Sequence, residues 1–454
     1  MPELQATARE PVKVPLVTDI KTVLQTLRAA RRNVLEIIPD LCTKQPMVSG
    51  KTAMVRWHMV MDPGALRRVL KDNLDNYPKS DITKNLLRPA IGDSLFIAEG
   101  AHWRWQRRAA APVFSHRNIA ALAPIMSASA EAVCERLAGQ AKADMFEEMV
   151  AATFEVISNV TFSGAGEMAG DEVHKAIDRF IDQSARISLM DVVGIPTWVP
   201  RPSRLFGGNP VADMKRVADA AIEKRRKMGA KPVPDLLDLL IEGMDPETKR
   251  QMNSAELRDN LLTFIVAGHE TTALTLAWAL YLCAFDQDVQ AKLHEEVRDV
   301  LGGRVAGPED IGKLPYTEQV IKETLRLYPP ASFIARTAQA PDELCGRKIR
   351  KKDSVMLPIY ALQRNELLWP EPDSFKPERF AKGAKYDRFA WLPFGDGPRV
   401  CIGAHFAMVE AQIILASLIS RYRFEPIEGK DPVPEMVLTL RPKGGVWLNI
   451  IPRH

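Results

Sequence analysis

Chemistry in this chain concentrates in Pro393-Phe394-Gly395-Asp396-Gly397-Pro398-Arg399-Val400-Cys401-Ile402-Gly403. The glycines and proline ahead of the cysteine forbid a helix and favour a tight, irregular loop. Beyond Gly403 the pattern changes, with Ala404, Phe406, Ala407, Ala411, Ile414 and Leu415 at helical spacing. Cys401 therefore sits where a glycine-rich loop enters a helix. Backbone N–H groups and the helix dipole favour an anion there, and a thiolate is one. This position predicts a lowered thiol pKa, with Arg399 adding positive charge two residues away. A lone cysteine is otherwise most often a small buried hydrophobe. The setting of this one argues against that.

Other spacings carry chemistry of their own. From Leu261 to Phe285 the only ionisable side chains of ordinary charge are His269 and Glu270. Charge facing lipid is costly, so His269-Glu270-Thr271-Thr272 speaks against a membrane span and for the central helix of a large protein. A carboxylate buried in such a helix needs a partner or a task. Gly268 is a poor helix former and the Thr271 hydroxyl can bond back to the i−4 carbonyl, so the helix is expected to open locally. A kink satisfied by Thr271 alone is the plainer alternative. Trp103 and Arg107 share a helix face, and an indole N–H beside a guanidinium suits a pair of carboxylates. Taken alone they read as a basic surface helix. Glu323 and Arg326, followed by Tyr328-Pro329-Pro330, read in isolation as a solvated pair worth under ~0.5 kcal/mol.

The cysteine loop resembles the heme-binding loop of the cytochrome P-450 family: Phe, two residues, Gly, one, Arg, one, Cys, one, Gly. Phe394, Gly397, Arg399, Cys401 and Gly403 match every place. The resemblance implies that Cys401 is the axial ligand of heme b, iron protoporphyrin IX, where a thiolate favours O–O cleavage. Ala267-Gly268-His269-Glu270-Thr271-Thr272 is similar to the family's oxygen-activation motif. It implies that Glu270 and Thr271 are an acid–alcohol pair delivering protons, with Ala267 against the cofactor. Trp103, Arg107, Arg336 and Arg399 would hold the heme propionates. Glu323 and Arg326, with Arg379 of Pro377-Glu378-Arg379-Phe380, would form a buried charged triad fixing the loop under the heme. Phe96, Phe264, Ala331, Ser332, Phe333 and Leu438 would line the substrate pocket, with Ile334 and Ala267 beside them. Residues 80–98 match a mobile loop over that pocket, and residues 187–207 its lid. Gln363-Arg364-Asn365 stands where many members have His-Arg-Asp, a departure expected to touch local packing only.

The positioning elements can be read around these residues. Residues 20–39 form an amphipathic pattern with Ile20, Val23, Leu24, Leu27 and Val34 on one side. Ala53, Val55, Trp57 and Met59 alternate, predicting a strand over 51–60. Pro89 and Gly92 are expected to break any long helix in 80–98. Helical periodicity predominates over 119–180, with Glu147, Glu148 and Glu155 facing water. Asn253 and Glu256 are spaced as a capping box that starts the long central helix. Helices follow over 286–301 and 316–327. Cys345 to Pro358 reads as strand, turn, strand. Val437 to Ile451 reads as two strands around Pro442-Lys443-Gly444-Gly445, with their tip in the pocket. The expected fold is mainly α, a triangular prism of helices around a buried heme and a long central helix. Its smaller β-rich part covers approximately 40–65, 331–362 and 436–451, in one domain over 1–454.

The chain has 454 residues, 46% hydrophobic and 26% charged, which is ordinary globular composition. A net charge of +4 is too small to point to nucleic acid. Cys42, Cys134, Cys283, Cys345 and Cys401 are few and widely spaced, suiting a reducing compartment without disulfides. The N-terminal stretch holds no apolar run fit for a signal or anchor, so a soluble, cytoplasmic protein is expected; a monomer is expected as well.

The resemblance implies a monooxygenase that hydroxylates or epoxidises an apolar substrate such as a fatty acid, terpenoid or polycyclic compound. It would use dioxygen and electrons from a ferredoxin and its reductase, with NAD(P)H as ultimate donor. Arg104, Arg108, Arg117, Lys382 and Lys385 would present a basic face to that acidic partner. A peroxide-dependent peroxygenase is the rival within the family, though such members typically lack the acid–alcohol pair. A heme-binding sensor without turnover is the rival outside it.

Overall fold

The computed structural model describes residues 10–18, 23–52, 55–162, 210–436 and 438–453. The expected lid at 187–207, the helical pattern beyond residue 162, Ile20 and Ala53 lie outside the described residues.

In chain order the described helices begin with α1 (Val23–Arg32), α2 (Pro63–Arg67), α3 (Asp81–Ile91), α4 (Gly100–Ala110), α5 (His116–Leu137) and α6 (Met145–Phe162). Then come α7 (Pro210–Met228), α8 (Leu236–Glu242), α9 (Ser254–Phe285), α10 (Gln287–Leu301), α11 (Pro315–Leu327), α12 (Ile359–Leu362) and α13 (Ala404–Arg421). The organising element is α9. Its first turn is closed by a reciprocal capping box: Glu256 N–H donates to Asn253 Oδ1 at 2.9 Å, and Asn253 N–H to Glu256 Oε2 at 3.0 Å. A helix apolar all round must be covered all round. Accordingly α9 packs against α6, α7, α11 and α13. Trp278, fully buried on α9, stacks on Tyr328 with ring centroids 4.0 Å apart and donates its indole N–H to Leu440 O at 3.1 Å. No helix among the described residues is long and apolar enough to cross a membrane.

The strands among the described residues form small sheets. β1 (Met47–Thr52), β2 (Val55–Val60), β4 (Ile334–Thr337) and β7 (Ser354–Leu357) make one sheet in the order β1-β2-β7-β4. β3 (Lys142–Asp144), β11 (Trp447–Pro452) and β8 (Tyr422–Pro426) make another. β5 (Asp342–Leu344) pairs with β6 (Arg347–Ile349), and β9 (Val433–Met436) with β10 (Leu440–Lys443). Both β8 and β10 touch α9.

Several boundaries differ from expectation. The first helix stops at Arg32, because Asn33 turns extended (φ −156°) and its side chain accepts from Leu35 N, starting a new 3₁₀ turn. The strand expected over 51–60 is β2 from Val55 on, while residues 51–52 end β1, its antiparallel partner, where Gly50 lies beneath the Trp57 ring and a Cβ would approach it to 2.2 Å. Residues 345–358 hold the end of one hairpin and a strand of another sheet. The two strands flanking Gly444-Gly445 do not pair with each other: β10 joins β9, and β11 joins β3 and β8. Both glycines have positive φ, and Asp144 captures Val446 N–H at 2.8 Å, steering β11 onto β3. In 80–98, Pro89 sits in the last turn of α3, and Gly92 (φ +54°) ends the helix.

Candidate heme-thiolate site

The cysteine loop is built by backbone constraints. Gly397 has φ +72°, and a Cβ there would come within 2.3 Å of Leu70 O, so no other residue fits. Asp396 is held by Arg388 at 2.7 and 2.8 Å. Cys401 N–H donates to Phe394 O at 2.9 Å, closing the loop just before α13. Gln363 ties this loop to the body: its Oε1 accepts from Leu392 N at 2.8 Å while its amide N–H groups donate to Leu325 O and Arg326 O. The departure from the family's usual residue at Gln363 is thus a joint between α11 and the cysteine loop, more than local packing.

Cys401 is enclosed by the protein yet exposed to a cavity of about 2100 Å³. Burial raises its thiol pKa, and the Gly403 amide and Arg107 only partly oppose this. The lowered pKa expected from the helix N-terminus is therefore corrected: desolvation of the charged form outweighs the dipole. Phe394, Arg399 and Gly403 line the same cavity, as do Ala267, Glu270 and Thr271 from α9. Trp103 and Arg107 reach it from α4, and Arg336 from β4.

Positive charge collects here. Arg399 stacks over Trp103 at 4.1 Å and donates to Ala98 O at 2.7 Å. Burial pushes Arg336 down to about 10, and it lowers Arg107 and Arg399 as well. Lys79, unnoticed in the sequence, lines the same wall, its pKa pushed well down by burial and by the neighbouring Arg336 and Arg399. Glu99 is the carboxylate in ion-pair contact with this cluster among the described residues, bound to Arg399 and 3.8 Å from Lys84. Enclosed cations in such excess suit an anionic ligand. A thiol open to an apolar-walled cavity with that rim fits a heme with its propionates.

On α9 the Thr271 hydroxyl donates to Ala267 O at 2.8 Å. The helix runs unbroken through Gly268, so the local opening expected there is not seen. Glu270 is buried and points to the β9–β10 hairpin. Thr439 Oγ1 donates to its Oε1 at 2.9 Å, and the Arg441 guanidinium pairs with the same oxygen. A second buried acid escaped the sequence analysis. Glu410 on α13 bonds to Thr272 and is pushed up to about 8 by complete burial, so it is held neutral near pH 7. Its signal was present: an acid among Phe406, Val409, Ala411 and Ile413 is as conspicuous as Glu270 on α9.

Glu323 and Arg326 are both fully buried and joined at 2.7 and 2.8 Å. Arg379 Nε reaches Glu323 Oε1 at 3.2 Å, and Arg326 also donates to the carbonyls of Gln363, Pro372 and Ser374. The solvated pair is excluded by this burial. Phe96, Phe264, Ala331, Phe333 and Leu438 line the cavity. Ser332 does not: it is fully buried and its hydroxyl donates to Pro329 O at 2.6 Å, which turns it from the cavity. Of the basic residues expected on one face, Arg104 pairs with Asp75 at 3.2 Å and Arg108 with Asp245 at 2.7 Å. Arg117, Lys382 and Lys385 are exposed.

These features fit a heme-thiolate centre as the class of site. The Cytochrome P450 family profile matches residues 18–449, and the chain belongs to that family. It is 33% identical over 416 residues to cyclooctatin synthase of Streptomyces melanosporofaciens, covering 90% of each chain. It is 31% identical over 401 residues to cyclooctat-9-en-7-ol 5-monooxygenase of the same organism, covering 88% of this chain and 86% of that one. Cytokinin hydroxylase of Arabidopsis thaliana is 33% identical over 385 residues, covering 82% and 73%. The heme domain of cytochrome P450DA shares the fold, with TM-score 0.77 at 24% identity over 90% of each chain. The protein is a cytochrome P450 monooxygenase with a heme-thiolate cofactor, mainly helical with smaller sheets.

Proposed function

We propose that this enzyme hydroxylates or epoxidises an apolar, cyclic terpenoid-like substrate, with heme b ligated by Cys401. The observation that carries this is one cavity shared by Cys401, Glu270 and Thr271. The heme, when bound, supplies the activation of dioxygen and the transfer of one oxygen atom. Trp103, Arg107, Arg336 and Arg399 hold its two carboxylates, and Ala267 leaves room on α9. Thr271 orients water or a hydroxyl group in the cavity, and Glu270 passes protons to it. Phe96, Phe264, Ala331, Phe333 and Leu438 exclude water from the apolar substrate. Support for the substrate class comes from this apolar lining and from the two Streptomyces relatives, one named for a 5-monooxygenase acting on cyclooctat-9-en-7-ol. Electrons come from a ferredoxin and its reductase, with NAD(P)H as donor, and the chain works as one cytoplasmic, monomeric domain. Cys401→Ser tests the ligation: the reduced carbon monoxide complex should lose its red-shifted Soret band. A variant that keeps the band has another ligand. A Soret spin-shift screen with cyclic terpenoid alcohols then tests the substrate class, and no response to any of them would remove it.

A further inference from the structure

We propose that Glu99 is a built-in counter-charge at the propionate end of the cavity, orienting Arg399 while lowering both heme retention and reduction potential. This rests on the heme-thiolate reading of the cavity. Glu99 is the N-cap residue of α4 but makes no side-chain cap hydrogen bond. Asp235, Asn253 and Asp286, at the same place on α8, α9 and α10, all do. A short Asp or Asn side chain at an N-cap ordinarily satisfies the helix's first amides, whereas the longer Glu99 side chain reaches past them. The Glu99 carboxylate is instead spent across the cavity rim. It binds the Arg399 guanidinium, accepts Lys79 N–H at 2.9 Å and lies 3.8 Å from Lys84 Nζ. With Ala98 O on another N–H and Trp103 beneath its plane, Arg399 is fixed from three sides.

The charge has a second consequence. Lys79, Lys84, Arg107, Arg336 and Arg399 all line this cavity. Arg399 depresses Arg336, and both depress Lys79, while Glu99 supports all of Lys79, Arg336 and Arg399 in their charged forms. It thereby relieves repulsion among the cations, and it also repels a ligand carboxylate arriving among them. Such terms are larger inside a protein than in water. Reduction adds an electron to the bound heme, so a fixed negative charge nearby opposes it.

The test uses the heme-loaded protein, with heme transfer to excess apomyoglobin and the midpoint potential as readouts. Glu99→Gln keeps an oxygen acceptor for Arg399 and removes the charge. Heme loss should slow roughly threefold or more, and the potential should rise, because the electrostatic opposition is gone. Glu99→Asp should keep the wild-type potential. Lys84→Gln, which removes a cation instead, should move both readouts the other way. Faster or unchanged heme loss in Glu99→Gln, an unchanged or lower potential, or a Lys84→Gln without effect overturns the proposal. Arg336→Gln and Arg399→Gln serve as the separate check. If neither speeds heme loss, the propionate assignment itself fails. If they do and Glu99→Gln behaves like them, only the counter-charge falls.

Discussion

At the scale of single residues, burial decides more than sequence position does. Glu410 illustrates the consequence for pH. Its folded pKa of about 8 lies above the ordinary value of 4.5, so the folded state holds a proton that the unfolded chain releases. The contribution is therefore favourable below about pH 4.5 and is lost progressively as pH rises toward 8, reaching on the order of 4–5 kcal/mol. Glu410→Gln cannot ionise. Compared at about pH 5.5 and pH 7.5, the urea midpoint of the wild type should fall with pH relative to that of the variant, the difference isolating Glu410 from histidines such as His294 and His405 that titrate in both. Parallel slopes would show that Glu410 ionises freely. Thr271 carries the complementary prediction for catalysis. Its hydroxyl is bonded to Ala267 O but faces the cavity, so it can turn to a guest. Thr271→Ala should still load heme and consume NAD(P)H, with much of the flux diverted from product to hydrogen peroxide. Product, peroxide and NAD(P)H measured together check this, and wild-type coupling would place proton delivery elsewhere.

Among elements, the central helix and the cysteine loop were the most legible in sequence, because local rules suffice for them. Asn253 and Glu256 fix where α9 starts, and glycines at positive φ fix the loop. What escaped depends on partners distant in sequence. The Glu270 contacts come from Thr439 and Arg441, and the Gln363 joint spans α11 and Leu392. Ser332 was misplaced because its neighbours Ala331 and Phe333 do line the cavity, and a loop need not alternate. The triad shows the energetic side of such long-range ties. Glu323 also accepts Lys376 N–H at 2.9 Å, so its removal orphans Arg326, Arg379 and a backbone amide together. Glu323→Ala should cost about 3–5 kcal/mol, since an unpaired buried guanidinium is left behind. Thermal melting and heme content of the purified protein should both drop. A variant melting with wild type would mean that Arg326 finds full compensation in the carbonyls of Gln363, Pro372 and Ser374.

For the whole molecule, charge on the surface has to be separated into what holds the chain together and what is free for a partner. Arg108 belongs to the first kind. It grips Asp245, which is buried, and holds that carboxyl well below the usual range through the hydrogen bond it donates. Arg108→Glu would set two carboxylates together and should lower the melting temperature at any salt concentration. Its loss of turnover would then say nothing about docking. Arg117, Lys382 and Lys385 belong to the second kind, being exposed and without an ion pair among the described residues. If a ferredoxin docks on them, its encounter is steered by fields that salt screens within about 10 Å at ~0.1 M. Turnover with a ferredoxin system should fall steeply between about 0.1 and 0.5 M salt. Arg117→Glu should lower turnover at low salt, flatten that dependence and leave melting unchanged. Product formation driven by added peroxide needs no ferredoxin, so it should be indifferent both to Arg117→Glu and to salt. A ferredoxin-driven rate unmoved by either would put the electron entry on another face.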